Sequence, residues 1–241
     1  MERRNSRDVL FEALALEDRA VADIGCGDGG LARALRKAGA ARVIGIECSP
    51  RQLAKARAAE PVDGVVIIDG VAEALPLLAS TQDAVVFFNS LHHVPPQHMA
   101  GAMAEAARVL KPGGQLYCSE PVAQGPFYDL CRLVDDEREV RALAHRALHA
   151  AHAHGLHVEM ETVFTHTVKM RSFEAFRDRI ISANSDREAR FDAHEAELRT
   201  RFEELGTRTD DGWTFDQPTR VTVLRKERRE DWDLHAHARG V

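Results

Sequence analysis

The ten residues Val21 to Gly30, VADIGCGDGG, set the terms for everything around them. An apolar run closes in an acid and meets a glycine-rich turn that opens a helix, so a strand must deliver its end to a helix N-terminus. Gly25 and Gly27 permit backbone angles that side chains forbid, and they let a ligand lie against the main chain. The first amides of the next helix point toward whatever sits there.

The same alternation continues downstream. Leu31, Ala34 and Leu35 carry a helix that stops at Gly39. Arg42 to Glu47, RVIGIE, is an almost unbroken apolar strand, suited to burial on both faces. A helix from Ser49 with Pro50 in its first turn follows, then a strand Val65 to Asp69 and a loop GVAEALP. Strand Ala84 to Asn89, helix Pro96 to Leu110, a KPGG turn and strand Gln115 to Glu120 complete the series. Such a pattern predicts an α/β fold, a doubly wound, Rossmann-like and mostly parallel sheet that binds ligands at the carboxyl ends of its strands. A single domain over residues 1–241 is expected, with an N-terminal helix within 1–20.

Two ligand classes use a glycine turn of this kind. Dinucleotides set a pyrophosphate on the helix N-terminus, whereas S-adenosylmethionine has no phosphate and carries an ammonium, a carboxylate and a sulfonium. Asp23, just inside the strand, would repel a pyrophosphate but can pair with an ammonium, which favours S-adenosylmethionine. Glu47 lies about twenty residues beyond the glycine loop, where a carboxylate can accept both hydroxyls of a ribose.

The net charge of -6 argues against a nucleic-acid binder with a broad basic surface. Cys26, Cys48, Cys118 and Cys131 form no CxxC pair and read as reduced thiols of a cytoplasmic protein. No apolar run reaches the roughly 18 residues of a membrane span, and MERRNSRDVL lacks the apolar stretch of a secretory leader.

DIGCGDG, the acid of GIECSP, VAEALP, SLHHV and RVLKPGG, in this order, resemble the class I S-adenosylmethionine-dependent methyltransferases. The similarity is greatest to the small-molecule branch that includes ubiquinone and menaquinone biosynthesis methyltransferases, and it covers about residues 20 to 121. The resemblance implies that Asp23, Gly25 and Gly27 surround the methionine part of the cofactor, with Cys26 presenting main chain. It implies that Glu47 holds the ribose hydroxyls and that Cys48 flanks the adenine. Members of the family usually carry an acid before the AE of the GDAEALP-like loop, and this chain has Val71 there. The adenine contact then falls to the backbone of Val71 and Ala72, or to Asp69. Asn89 is implied to line the cofactor near its reactive methyl, and S-adenosylhomocysteine is the implied product.

In SLHHV, one of His92 and His93 is expected to face the pocket while the other packs or hydrogen-bonds beneath it. A histidine there can act as a base toward a hydroxyl or an activated carbon, and the alternative is that both only shape the loop. Glu120 ends the fifth strand and is expected on the substrate side. A long helix over 126–155 follows; its acids 135 to 139 read as a solvated face or as an attraction for a cationic substrate. His145, His149 and His152 share a helical face, read as a polar outer face with a zinc or copper role as the other reading; a metal at His92, His93 and His98 lacks an acid or cysteine companion, and no metal is assigned to either set.

His157 to Met170 and Thr219 to Leu224 read as strands, expected to pair antiparallel at the sheet edge. Between them, 171–217 is read as a helical, lid-like insertion with helices Ser172 to Ser182 and Asp186 to Leu205. Phe173, Phe176, Phe191 and Trp213 are expected to help define a substrate pocket, the other reading being a peripheral helical pair for stability or dimerisation. The tail 227–241 is polar. The resulting expectation is a methyltransferase acting on a small-molecule O, N, S or C nucleophile, as a monomer or homodimer. The alternatives are an NAD(P)-dependent oxidoreductase, since Gly25, Gly27 and Gly30 also satisfy GxGxxG, and a non-catalytic S-adenosylmethionine-binding protein.

Overall fold

The computed structural model describes residues 1–183 and 186–228. In chain order its elements are α1 (Ser6–Ala13), β1 (Ala20–Ile24), α2 (Gly30–Lys37), β2 (Arg42–Glu47), α3 (Pro50–Ala58), β3 (Val65–Asp69) and β4 (Gln82–Phe88). Two single turns of 3-10 helix, Leu91–His93 and Pro96–His98, precede α4 (Met99–Val109) and β5 (Leu110–Pro121). Next come α5 (Pro126–Cys131), α6 (Arg138–Ala150), β6 (Leu156–Met170), α7 (Phe173–Ala183), α8 (Arg187–Ala193), α9 (Glu195–Leu205), β7 (Thr207–Thr209) and β8 (Gly212–Lys226). The chain divides into two compact units where the sequence pattern predicts one domain. The sheet unit holds Arg7–Glu120, Ala142–Thr162 and the described residues from Val221; the second unit holds Met1–Ser6, Pro121–Arg141 and Val163–Arg220. β6 and β8, each of 15 residues, run through the boundary.

The sheet follows the order β3-β2-β1-β4-β5-β8-β6, with β7 paired to β8. β1 pairs parallel to both β2 and β4, β2 to β3 and β4 to β5, so the chain winds outward from β1 first in one direction and then in the other. That reversal puts a crevice at the carboxyl ends of β1 and β4. At the far edge, Arg225 reaches Glu159, Thr222 reaches Glu161 and the Glu227 amide reaches Gly155, so β8 and β6 run antiparallel. The KPGG segment is not a turn before the strand: Leu110 already pairs with Gln82 and Gln115 with Ala84, leaving Lys111 to Gly114 as a bulge inside β5.

Every residue of β1 is buried, as its apolar run requires. Ala22 and Ile24 of β1, Ile46 of β2, Val85 and Phe87 of β4 and Leu116 of β5 pack with Met99, Met103 and Ala106 of α4 and with Ala144 and Leu148 of α6. This core fixes the strand ends that carry the site. Among the described residues no helix is long and apolar enough to cross a membrane.

The second unit has a core of its own. Neighbouring rings among Phe173, Phe176, Phe191, Phe202 and Phe215 stand 4.9–5.9 Å apart, and Trp213 adds a contact 5.3 Å from Phe202. Residues 171–217 are therefore the middle of a packed unit rather than a separate insertion. Phe173 and Phe176 are 6 % and 0 % exposed, so their rings fill this core and do not present themselves as pocket walls. The long helix expected over 126–155 is broken between α5 and α6. Asp136 explains the break: its carboxylate accepts from the Arg138 amide and from the Tyr128 hydroxyl, which starts a new helix at residue 138. Asp135 and Glu137, expected as a solvated or substrate-attracting face, are taken up by the largely buried Arg187, at 2.6 and 3.0 Å. The helix expected over 186–205 is likewise divided at His194 into α8 and α9. Ser172 caps α7 through the Ala175 amide at 3.2 Å. Of the polar tail, residues 229–241 lie outside the described part.

Candidate active site

The glycine loop leaves β1 in left-handed backbone, with φ of 71° at Gly25 and 57° at Gly27. A Cβ at Gly25 would stand 2.6 Å from the Ser90 Cβ, so only glycine lets the two loops close on each other. Ser90, which sequence reasoning passed over, donates its hydroxyl to the Ile24 carbonyl at 2.6 Å and ties the end of β1 to the end of β4. The amides of Gly25 and Cys26 donate to Ile46 at 2.8 and 3.1 Å, binding the loop to β2. Burial pushes the Cys26 thiol well up from its ordinary value, which keeps it un-ionised.

Two acids close this crevice, and their surroundings differ. Asp23 is 1 % exposed and its Oδ2 has no hydrogen-bond partner. Burial pushes its carboxyl up to about 7, and the nearby Glu47 charge adds to the shift. Glu47, also buried, has three backbone donors: Gly27 at 2.9 Å on Oε2, and Cys48 and Ser49 at 3.0 and 2.7 Å on Oε1. An ionised carboxylate offers about four acceptor directions, so Glu47 retains room for a further donor. A buried acid oxygen lacking a donor fits an ammonium, and a fixed carboxylate at the end of β2 fits a ribose hydroxyl. Both groups belong to S-adenosylmethionine, so the residues present fit that cofactor.

Asp69 is exposed and pairs in register with Glu47 across β2 and β3. Val71 is 40 % exposed and Ala72 is buried in the following loop. No local motif signals what pins this loop. Glu105 of α4 accepts from the Leu75 amide at 2.7 Å, and Arg108 donates to the carbonyls of Leu75 and Leu77 at 3.0 and 2.8 Å. Cys48 is exposed, its thiol raised by partial burial and by Glu47. Asn89 adopts a left-handed φ of 55° at the end of β4, exposed, with its amide held by the Ser119 carbonyl at 2.8 Å.

His92 is buried and its Nδ1 bonds the Glu120 carboxylate; His93 is exposed, its ring 4.0 Å from that of His92. The other Glu120 oxygen accepts from the amides of Leu91 and His92 at 2.9 and 3.4 Å. Glu120, expected to face a substrate, thus spends its carboxylate on the loop after β4. Phe173 and Phe176 belong to the core of the second unit.

A parallel sheet that reverses its winding at a glycine loop, with an unpartnered acid beneath that loop and a second acid closing the next strand, defines a class I domain of the S-adenosylmethionine-dependent type. Residues 22–118 match the family model described as Methyltransferase domain, and over that stretch the chain is similar to the class I S-adenosylmethionine-dependent methyltransferases. Among relatives, a ubiquinone biosynthesis O-methyltransferase of Hahella chejuensis is 36% identical over 118 residues, 46% of this chain and 47% of that one. The chain spans between about a third and a half of the length of the first curated relatives it matches. Two solved structures share the fold. A candidate methyltransferase from Bacillus halodurans C-125 has a TM-score of 0.63 at 23% identity, covering 92% of this chain and 99% of that one. The [4+2]-cyclase SpnF has a TM-score of 0.63 at 22% identity, covering 92% and 80%.

Proposed function

We propose that this chain is a methyltransferase that uses S-adenosylmethionine and acts on a small-molecule acceptor. The observation that carries the reading is Asp23, a buried acid with an unpartnered oxygen directly beneath the glycine loop. Relatives named for quinone methylation support a small acceptor, since one is a ubiquinone biosynthesis O-methyltransferase and another a 2-methyl-6-phytyl-1,4-hydroquinone methyltransferase. The four free cysteines suit a reducing, cytoplasmic setting.

When bound, S-adenosylmethionine supplies a methyl group on a sulfonium, leaving S-adenosylhomocysteine. Asp23 accepts from the ammonium of the methionine part, and Gly25, Cys26 and Gly27 present main chain to it. Glu47, already set by three backbone donors, accepts from the ribose. Cys48, Asp69, Val71 and Ala72 would border the adenine, and Asn89 would line the cofactor near its reactive methyl. Because a sulfonium loses its charge in an in-line displacement, the protein's main tasks are alignment and exclusion of water. A hydroxyl acceptor also needs a base. His93 is exposed and suited to that role, while His92 and Glu120 act as positioning residues that hold the loop beneath it.

Calorimetric titration of the purified chain with S-adenosylmethionine, S-adenosylhomocysteine and NADH in parallel tests the reading. Micromolar binding of the first two without NADH is expected and opens a screen of phenols, quinols and amines as acceptors. Binding of NADH alone contradicts it.

A further inference from the structure

We propose that His145, His149 and Glu161 form a binding site for a divalent transition-metal ion of the zinc class, sharing no residue with the cofactor site. The two histidines lie one turn apart on α6, and Glu161 comes from β6, which the helical spacing of the histidines could not reveal. Ala144 and Leu148 belong to the core of the sheet unit and so fix the rotation of α6.

Three ligand atoms then meet at one point. The Nε2 atoms of His145 and His149 are 3.1 Å apart, and they stand 3.1 and 3.0 Å from Glu161 Oε2. With bonds of about 2.0–2.1 Å, the ligand atoms of a tetrahedral zinc centre lie roughly 3.3–3.4 Å from each other, so the triangle already has nearly the size of one face. An ion pair would need only one imidazole. Here both rings aim the same nitrogen at the same oxygen, and two N–H groups facing each other at that distance would conflict; two lone pairs turned toward one cation do not.

The surroundings suit a metal as well. Thr222 donates its hydroxyl to Glu161 Oε2 at 2.9 Å, and His152 Nδ1 bonds the His149 carbonyl at 2.8 Å, which steadies the carboxylate and the helix end. The side chains of His145, His149 and Glu161 are 30 %, 48 % and 30 % exposed, so a fourth position opens to water. Two imidazoles with one carboxylate favour zinc, copper or nickel over magnesium and calcium, which prefer oxygen ligands throughout. Binding there clips α6 to the edge strand β6.

The test is calorimetry and thermal melting of the full chain, stripped with EDTA and dialysed, with zinc chloride and separately magnesium chloride. A single zinc equivalent bound at micromolar strength or tighter, with a raised Tm and no response to magnesium, is expected. The double variant His145→Ala/His149→Ala should lose at least tenfold in zinc affinity and lose the Tm shift, with an unchanged circular dichroism spectrum before metal is added. Should that variant fail to fold, the isosteric Glu161→Gln makes the same comparison and should show the same loss. Zinc affinity unchanged in the folded variants, an equal response to magnesium, or no zinc binding by the unaltered chain would overturn the proposal.

Discussion

One acid of the sheet unit is treated in the opposite way to an acidic run of the second unit. In the second unit, Asp135 and Glu137 converge on Arg187, and Asp136 takes the Tyr128 hydroxyl and the Arg138 amide, so these three acids have their donors within the unit. In the sheet unit, Asp23 is buried more deeply than any of them and keeps an oxygen with no donor. A paired acid holds structure together, whereas an unpaired buried one costs stability unless a ligand completes it. On the proposed reading, the difference separates an acid left open for the cofactor's ammonium from acids that hold structure together.

The largest effect expected from breaking this contrast lies in the aromatic core. Phe202→Ala removes a ring packed against Phe173, Phe176, Phe215 and Trp213, and should cost about 3–5 kcal/mol by denaturant unfolding, with the cofactor affinity of the folded fraction unchanged. Glu47→Ala deprives three backbone amides and, on the proposed reading, the ribose of their acceptor. It should weaken S-adenosylmethionine binding by about thirtyfold, roughly 2 kcal/mol, in a calorimetric titration. Arg187→Met should lower stability by about 1–3 kcal/mol, because the Asp135 and Glu137 carboxylates lose a shared guanidinium that is only partly screened by solvent. Its cofactor affinity should match the unaltered chain, and a matching loss of affinity would erase the distinction between the units.

The smallest effect is a pH dependence. An ionised Asp23 carboxyl pairs with an ammonium far more strongly than the neutral acid, and with a value of about 7 it is mostly protonated at pH 6. Affinity for S-adenosylmethionine should therefore be about tenfold weaker at pH 6 than at pH 8. Equal affinity at both would remove Asp23 from the contact.

Much of the sheet unit was legible in the sequence because its signals are local. Glycines at forced backbone angles, apolar strands closed by Asp23 and Glu47, and alternation with helices each follow from a few adjacent residues. What holds the site is not local. Ser90 meets Ile24, Glu105 meets Leu75 and Glu120 turns back to His92, and each of these pairs is joined by the fold rather than by spacing. The second unit was harder to read for the same reason. Its phenylalanines have helical spacing that serves a pocket or a core equally, and only packing distinguishes them. The helix break before residue 138 depends on Asp136 finding both Tyr128 and an amide, and an acidic run by itself reads as a solvated surface. Glu161 completes a histidine pair from another strand, which no pattern within α6 contains.

The most direct test of the account is the response of the free and cofactor-bound chain to Asp23→Asn at pH 8. A buried acid whose folded value lies above its unfolded value of about 3.9 favours the fold at low pH and loses that contribution as pH rises through about 7. At pH 8 the free variant should therefore melt higher than the unaltered chain, while its affinity for S-adenosylmethionine falls by at least a hundredfold. Unchanged affinity in a folded variant, with or without a change in melting, would contradict the claim that this acid is the cofactor's anchor.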